Sequence, residues 1–342
     1  MSLPKPLVRV LFAAGATLLA GAAVAEEAGS DSGVFTAQWE NDLLAGTDRH
    51  YTNGIRLSYV SPAVRDQLAW AADALEWLYP FDRRADARFG VALGQSIFTP
   101  GDITTSALIA DDRPYAGWLY LGLSLHAEAA QPVLGADVDF LDTLQINLGV
   151  VGPWSLAEET QKFVHDLVNG QRPNGWDNQL DNEPGFALIL ERKWRTPPLT
   201  FAGLEADALP SVTASLGNVE TSAGLAAMVR FGDNLDVDYG PPNISSNLTG
   251  REFFERVTDG FAWYVFAGAS GRAVAHNIFL DGNTFESSHS VDKKYAVGDL
   301  QAGAAVVLDN WRLAFSYLLR SKEFDGQDEP DRFGAVSLSV SF

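Results

Sequence analysis

The chain has 342 residues, a length that accommodates two ordinary domains or one large all-β unit. Its 24 Lys and Arg stand against 44 Asp and Glu, a formal charge of −20, and such a surface lacks the clustered cations that nucleic-acid binding requires. With no cysteine, disulfide frameworks, thiolate metal sites and thiol nucleophiles are excluded, so any catalysis must use oxygen, nitrogen or a hard metal ion.

The first residues read as a bacterial export signal. Lys5 and Arg9 form a positive start, residues 10–24 an apolar run, and Ala23-Val24-Ala25 a small-residue cleavage pattern. Cleavage is expected before Glu26, which leaves 26–342 as the mature barrel domain. A retained anchor is the alternative, disfavoured because the run is short and rich in Ala and Gly.

Beyond this leader no stretch approaches the roughly 20 apolar residues of a membrane helix. What recurs instead is a segment of about ten residues with alternating hydrophobicity, the pattern of a tilted membrane strand. In chain order the segments pair as 34–42 with 52–60, 88–98 with 115–126, 140–151 with 184–194, 210–220 with 223–231, 260–273 with 296–308, and 311–321 with 333–342. Twelve is an even number, and the predicted fold is a transmembrane antiparallel β-barrel of the all-β class. Val336-Ser337-Leu338-Ser339-Val340-Ser341-Phe342 shows the alternation best, with apolar residues for lipid and serines for the lumen. Its aromatic terminus resembles the C-terminal signal of bacterial outer-membrane barrels. A soluble periplasmic β-protein is the plainer alternative.

With both termini in the periplasm, the connections 43–51, 99–114, 152–183, 221–222, 274–295 and 322–332 face outward. Two long ones, 61–87 and 232–259, then fall on the periplasmic side, against the usual preference for short turns there. The first holds a helical stretch, 63–79, suited to packing under the barrel; the second has no evident role. In 152–183, Ser155 is the expected N-cap, Glu158 gives the capping-box spacing and Gly170 ends the helix. Gln161 and His165, four residues apart, share one face. A helix lying over the rim therefore presents an imidazole to the barrel wall; a surface helix with an incidental histidine is the alternative.

The five histidines, His50, His126, His165, His276 and His289, show no HExxH spacing, and no GxSxG, P-loop or strand-following GxGxxG is present. Polar residues crowd the strand ends instead. Asn41 and Asp42 offer hard oxygen ligands of the kind calcium prefers, although Asn and Asp are also ordinary turn residues. Near them stand Thr47-Asp48-Arg49-His50-Tyr51-Thr52-Asn53-Gly54, Gln95-Ser96-Ile97-Phe98-Thr99-Pro100, Asp111-Asp112-Arg113-Pro114-Tyr115-Ala116-Gly117-Trp118 and Gly175-Trp176-Asp177-Asn178-Gln179-Leu180. Together with Val151-Gly152-Pro153, Gln161-x-x-x-His165 and the later 280–285 and 322–327, this ordered set resembles the outer-membrane lipid A 3′-O-deacylase family, LpxR type. The resemblance covers nearly the whole mature chain.

That resemblance implies a twelve-stranded barrel in the bacterial outer membrane, with an active site between the wall and a short helix from an extracellular loop. The implied reaction is calcium-dependent hydrolysis of the ester carrying the 3′ acyloxyacyl group of lipid A in lipopolysaccharide. Residue by residue, it carries an Asn-Asp pair onto Asn41 and Asp42, a threonine onto Thr52, and a helical Gln and His onto Gln161 and His165. In chemical terms His165 is the general base, Asp42 with Asn41 the calcium ligands, and Thr52 and Gln161 position water or substrate. Arg49, Arg113 and Arg172 are candidate phosphate contacts. Trp39, Trp118, Tyr120, Trp194 and Trp263 belong to interface girdles or to the core. The expected protein is a monomer with no nucleic-acid partner. The rivals are a non-catalytic barrel, as channel or surface-interaction protein, and an outer-membrane phospholipase, for which the serine signature is missing.

Overall fold

A computed structural model of the protein describes residues 32–42, 50–63, 86–133, 135–168, 170–241, 254, 257 and 260–342. The export signal, Arg49 and nearly all of the helical stretch 63–79 lie outside the described residues. The strands are β1 (Val34–Asn41), β2 (His50–Val60), β3 (Asp86–Thr99), β4 (Ala116–Val133), β5 (Ala136–Val151), β6 (Glu183–Arg195), β7 (Leu199–Phe201), β8 (Leu204–Gly217), β9 (Glu220–Asp233), β10 (Phe261–Asn277), β11 (Ala296–Leu308), β12 (Trp311–Arg320) and β13 (Asp331–Ser341). Among the described residues two α-helices accompany them, α1 (Ala157–Val168) and α2 (Ile278–Asp281).

Every long strand pairs antiparallel with its neighbours in sequence, β1 pairs with β13, and β6 pairs with β8, so twelve long strands close into a barrel. Closure removes the free edges that an open sheet would expose to lipid or to other chains. The thirteenth strand is the short β7, which folds onto the start of β8. Its turn is Ala202-Gly203, both at positive φ (53° and 83°), as a two-residue hairpin of primed type requires. The alternation pattern passes over β7 because three exposed residues bury no face. The turn expected at 221–222 sits instead at 218–219, since β8 ends at Gly217 and β9 begins at Glu220.

Side chains alternate across this wall with their polarity inverted relative to a soluble protein. On β1, Thr36, Gln38 and Glu40 are buried while Trp39 is exposed. On β13, Ser337, Ser339 and Ser341 are buried while Leu338 is exposed, and the Thr36 hydroxyl donates to Ser339 Oγ at 2.7 Å across the β1–β13 seam. Leu121, Leu123, Leu148, Leu216, Leu225, Val229, Leu313 and Phe315 continue an apolar outer belt. A polar interior within an apolar exterior is the arrangement that lipid stabilises and water does not. It removes the soluble alternative. Trp118 and Tyr120 leave the girdle: both are buried on the inward-facing row of β4 and stack at 5.5 Å.

The lumen is filled at both ends. Toward the mouth, Tyr51, Phe98, Trp118, Tyr120, Phe279 and Phe333 form one buried cluster, with α2 folded inward so that Phe279 stacks on Phe98 at 3.9 Å. At the other end, the connection after β9 turns back into the barrel. There Asp238 accepts hydrogen bonds from Arg230 (2.6 Å), Arg312 (2.9 Å) and the Tyr264 hydroxyl (2.8 Å), all buried. The described part of 232–259 is therefore a seal. A cavity of about 130 Å³ remains in the lumen against β8–β10, lined by Ser211, Ser215, Glu220, Arg272, Asp299 and Gln301 among others.

Candidate functional site

The loops after β3, β5, β10 and β12 do meet at one mouth, together with the start of β2. His50 Nδ1 donates to Asp331 Oδ1 at 2.5 Å, His289 Nε2 donates to the Asp112 carbonyl at 2.7 Å, and Asn283 Nδ2 donates to the Asp181 carbonyl at 3.0 Å. Arg113 pairs with Glu323 at 3.5 Å and stacks over the Phe98 ring. That use is internal, so Arg113 is not the solvent-facing phosphate contact its loop position suggested; Arg172 is exposed. Burial pushes the Glu323 carboxyl up, but the guanidinium groups of Arg320, Arg113 and Arg272 outweigh it and hold the group below the usual glutamate range. Asp281 is likewise held at about 2: burial raises it, and hydrogen bonds from His276 and Lys293 bring it down.

The helix in the loop after β5 is present, with one correction at its start. Ser155 is not the N-cap. It belongs to a 3-10 turn, Pro153–Ser155, and Leu156 at φ 60° separates that turn from α1, its carbonyl accepting the first helical bond from Thr160. The reason is packing, because Ser155 is pressed onto β4. A Cβ added at Gly117 would lie 2.0 Å from Ser155 Oγ and 2.3 Å from the Ala157 Cβ. The far end closes as expected, with the Gly170 N–H bonded to the His165 carbonyl.

Strand parity locates this contact on the outside of the barrel. Leu93 on β3 and Leu121 on β4 are exposed and face lipid, so Gln95, Ile97 and Thr99, and likewise Leu119 and Gly117, belong to the same outward rows. Near the rim these rows are covered rather than exposed. Ile97 clusters with Ile103, Tyr115, Ala157 and Trp176, and Gln95 Nε2 donates to the Ser155 carbonyl at 2.6 Å. The helix thus lies against the outer wall, over strands beside the first hairpin. On that hairpin, Asn41 pairs in register with Asn53, both outward and both buried. Thr52 is the extra residue of a bulge between Tyr51 and Asn53, and its hydroxyl meets Thr99 Oγ1 at 2.7 Å.

Hydrogen-bond partners fix how α1 presents its polar groups. The indole nitrogen of Trp176 can only donate, and it does so to Gln161 Oε1 at 2.8 Å. That sets the amide orientation and leaves Gln161 Nε2, buried and without a hydrogen-bond partner among the described residues, as an available donor. His165 Nδ1 contacts the Gln171 carbonyl, which can only accept. The Nδ1 atom therefore carries the proton, and in the neutral ring the lone pair sits on Nε2. Among the described side chains the buried ones of α1 are Ala157, Thr160, Gln161 and His165, three of the four polar.

Each residue singled out from sequence is buried at this rim: Asn41, Asp42, Thr52, Gln161 and His165. Thr52 is joined to β3 and Gln161 to the 170–182 loop, and α1 rests on β3 and β4. Asn53, Gln95, Thr99 and Trp176 were not singled out from sequence. The signal for the first three is polarity at the rim end of an outward row whose lower members are apolar; for Trp176 it is only its place in the 175–180 segment that carries the resemblance. For a calcium ion the donor set fits in kind, since Asp42, Asn41, Thr52 and Thr99 offer only oxygen and amide groups. Among the described residues no three His, Cys, Asp or Glu side chains cluster as a metal site, so further oxygens would be backbone carbonyls or water.

Fold and site together define an outer-membrane β-barrel that carries a helix-covered polar site on the outside of its wall. The chain belongs to the LpxR family, whose model, described as outer membrane protein LpxR, matches residues 11–342. Among solved structures it is similar to LpxR from Salmonella typhimurium, at 20% identity and TM-score 0.72, over 90% of this chain and 100% of that one. It is also similar to the β domain of the Bordetella autotransporter BrkA, at 11% identity and TM-score 0.44, over 91% and 100% of the two chains. A sequence comparison with curated proteins finds no match.

Proposed function

We propose that the protein hydrolyses the ester that links the 3′ acyloxyacyl group to lipid A. The observation that carries this reading is the covered polar patch on the lipid side of the barrel. A substrate anchored in the outer leaflet reaches the outside of the wall without entering the lumen. Under α1 it meets an imidazole with its lone pair on Nε2 and an unpartnered amide donor.

In this mechanism His165 Nε2 takes a proton from water as the water oxygen bonds to the acyl carbon. The carbonyl oxygen gains negative charge, and Gln161 Nε2 is the donor available to it. The carbon–oxygen bond to the sugar then breaks, and the proton held on His165 passes to the departing sugar oxygen. The products are the free acyloxyacyl acid and a 3′ hydroxyl. Asn41 and Asp42 would hold a calcium ion; when bound, it supplies electrostatic stabilisation of the same oxyanion.

The rivals lose support on specific grounds. A channel needs an open lumen, and this one carries a packed aromatic cluster toward the mouth and the buried Asp238 network below. A serine esterase needs an accessible Ser–His pair. Ser124 Oγ and His126 Nε2 do lie 2.9 Å apart, but both are buried on the inward rows, and the second ring nitrogen meets the Thr143 hydroxyl rather than a carboxylate.

The deciding experiment is mass analysis of lipid A from cells with and without the protein. Loss of the mass of the 3′ acyloxyacyl group is the expected result, and unchanged lipid A rejects the reading.

A further inference from the structure

Helix α1 is inverted: it buries polar side chains and exposes apolar ones. Exposure is 67% for Leu167, 37% for Phe163 and 71% for Trp154 in the preceding turn. At about 100° per residue, Phe163 and Leu167 share one stripe. Glu158, Lys162 and Asp166 share another, roughly a third of a turn away, with an ion pair between Lys162 and Glu158. The helix therefore has three faces: a polar one against the wall, a charged one and an apolar one.

In water such an apolar stripe next to an exposed tryptophan has no reason to persist. On a surface helix with a charged stripe beside it, the same pattern is that of an interfacial helix lying in the boundary of a bilayer. The barrel supplies the boundary. Helix α1 stands on the outward rows of β3 and β4 directly above Leu93 and Leu121. Trp154 follows the end of β5, whose outward Leu148 faces lipid in register with Phe186 of β6. The rows that carry the apolar belt are the rows on which α1 is seated.

We infer that Trp154, Phe163 and Leu167 form a membrane-contact surface, seated among acyl chains at the headgroup boundary of the outer leaflet. The charged stripe Glu158, Lys162 and Asp166 faces water above it. This surface makes α1 a helix held from two sides, by the wall and by the lipid. The inference does not need the ester-hydrolysis reading, because it concerns where the helix lies rather than what its polar face does.

The absence of native cysteine makes the test clean. Leu167→Cys and Trp154→Cys, with Leu148→Cys as the lipid-facing reference and Lys162→Cys as the aqueous one, are spin-labelled in the mature chain in palmitoyl-oleoyl phosphatidylcholine vesicles. Accessibility to oxygen and to a water-soluble nickel chelate is then read at each label. Labels at 167 and 154 are expected to shift from chelate to oxygen accessibility and to lie nearer 148 than 162. Chelate accessibility at 167 and 154 as high as at 162 overturns the inference. All four positions are exposed, and heat-modifiable gel mobility verifies that each labelled barrel is folded. A chain that cleaves no lipid A still passes or fails this test.

Discussion

In the proposed mechanism two side chains on one turn of α1 carry the chemistry, and a third orients one of them. His165→Ala removes the proposed base from a helix outside the wall, so the barrel should keep its heat-modifiable mobility. Turnover of lipid A should fall by about 10²–10⁴-fold, the usual contribution of a positioned general base. Trp176→Phe keeps an aromatic ring but removes the indole donor that orients the Gln161 amide. One lost hydrogen bond costs about 1 kcal/mol of stability, so thermal unfolding should move little while kcat falls more than KM rises. The spacing of Gln161 and His165 was legible in the sequence because helical periodicity brings them together; the Trp176 contact was not, because it joins residues 15 apart across the end of α1, where no period holds. At the rim, Asp281 is ordinarily a group of pKa near 3.8 and is held at about 2. A depressed carboxyl adds stability above its unfolded value and loses it as pH falls through its folded one. Its partner His276 is held above the usual imidazole range by the same contact, so proteolytic sensitivity of the 278–295 loop should stay flat only from mildly acidic pH, where that ring is charged, down to about 4, and rise between 4 and 2; Asp281→Asn should abolish the acid limb.

At the scale of elements, the seat of α1 on β4 decides whether there is a site at all. The helix touches the wall where Gly117 has no side chain, and even a methyl there meets Ser155 and Ala157 at under 2.5 Å. Gly117→Val should lift α1 from the wall. The strand pairing of β4 with β3 and β5 stays intact, because an outward side chain does not disturb the ladder. The expected outcome is a folded, inserted barrel without hydrolysis, checked by gel mobility together with lipid A mass. The strands themselves were largely legible from alternation, and β11 falls where its period-2 run begins and ends. What alternation could not give were its own interruptions. The bulge at Thr52 breaks the period, with His50 at positive φ (66°) at the strand's start, so the run appears to begin at Thr52 rather than His50. The cap of α1 was misread for the related reason that Ser155 answers to a tertiary contact, which outweighs its local capping preference.

For the whole molecule, the net charge of −20 coexists with a barrel whose interior arginines are matched to carboxylates, so the formal charge describes little of what a ligand meets. The strongest of these networks closes the lower end. Asp238, fully buried, is the partner of Arg312 and one of two carboxylates on Arg230, whose other is Asp207. Removing one member of a buried ion network leaves the others uncompensated, at a cost of about 3–5 kcal/mol. The sequence marked 232–259 only as an oversized periplasmic connection, since nothing in its composition says that it turns inward; its residue Asp238 finds its partners on β9 and β12. The sealed lumen gives a direct expectation in planar bilayers. The native barrel should pass no steady current, whereas Asp238→Ala should lower the temperature at which heat-modifiable mobility is lost and should open measurable conductance. If the native protein conducts steadily, the lumen is a path, and the outer wall loses its place as the side from which substrate arrives.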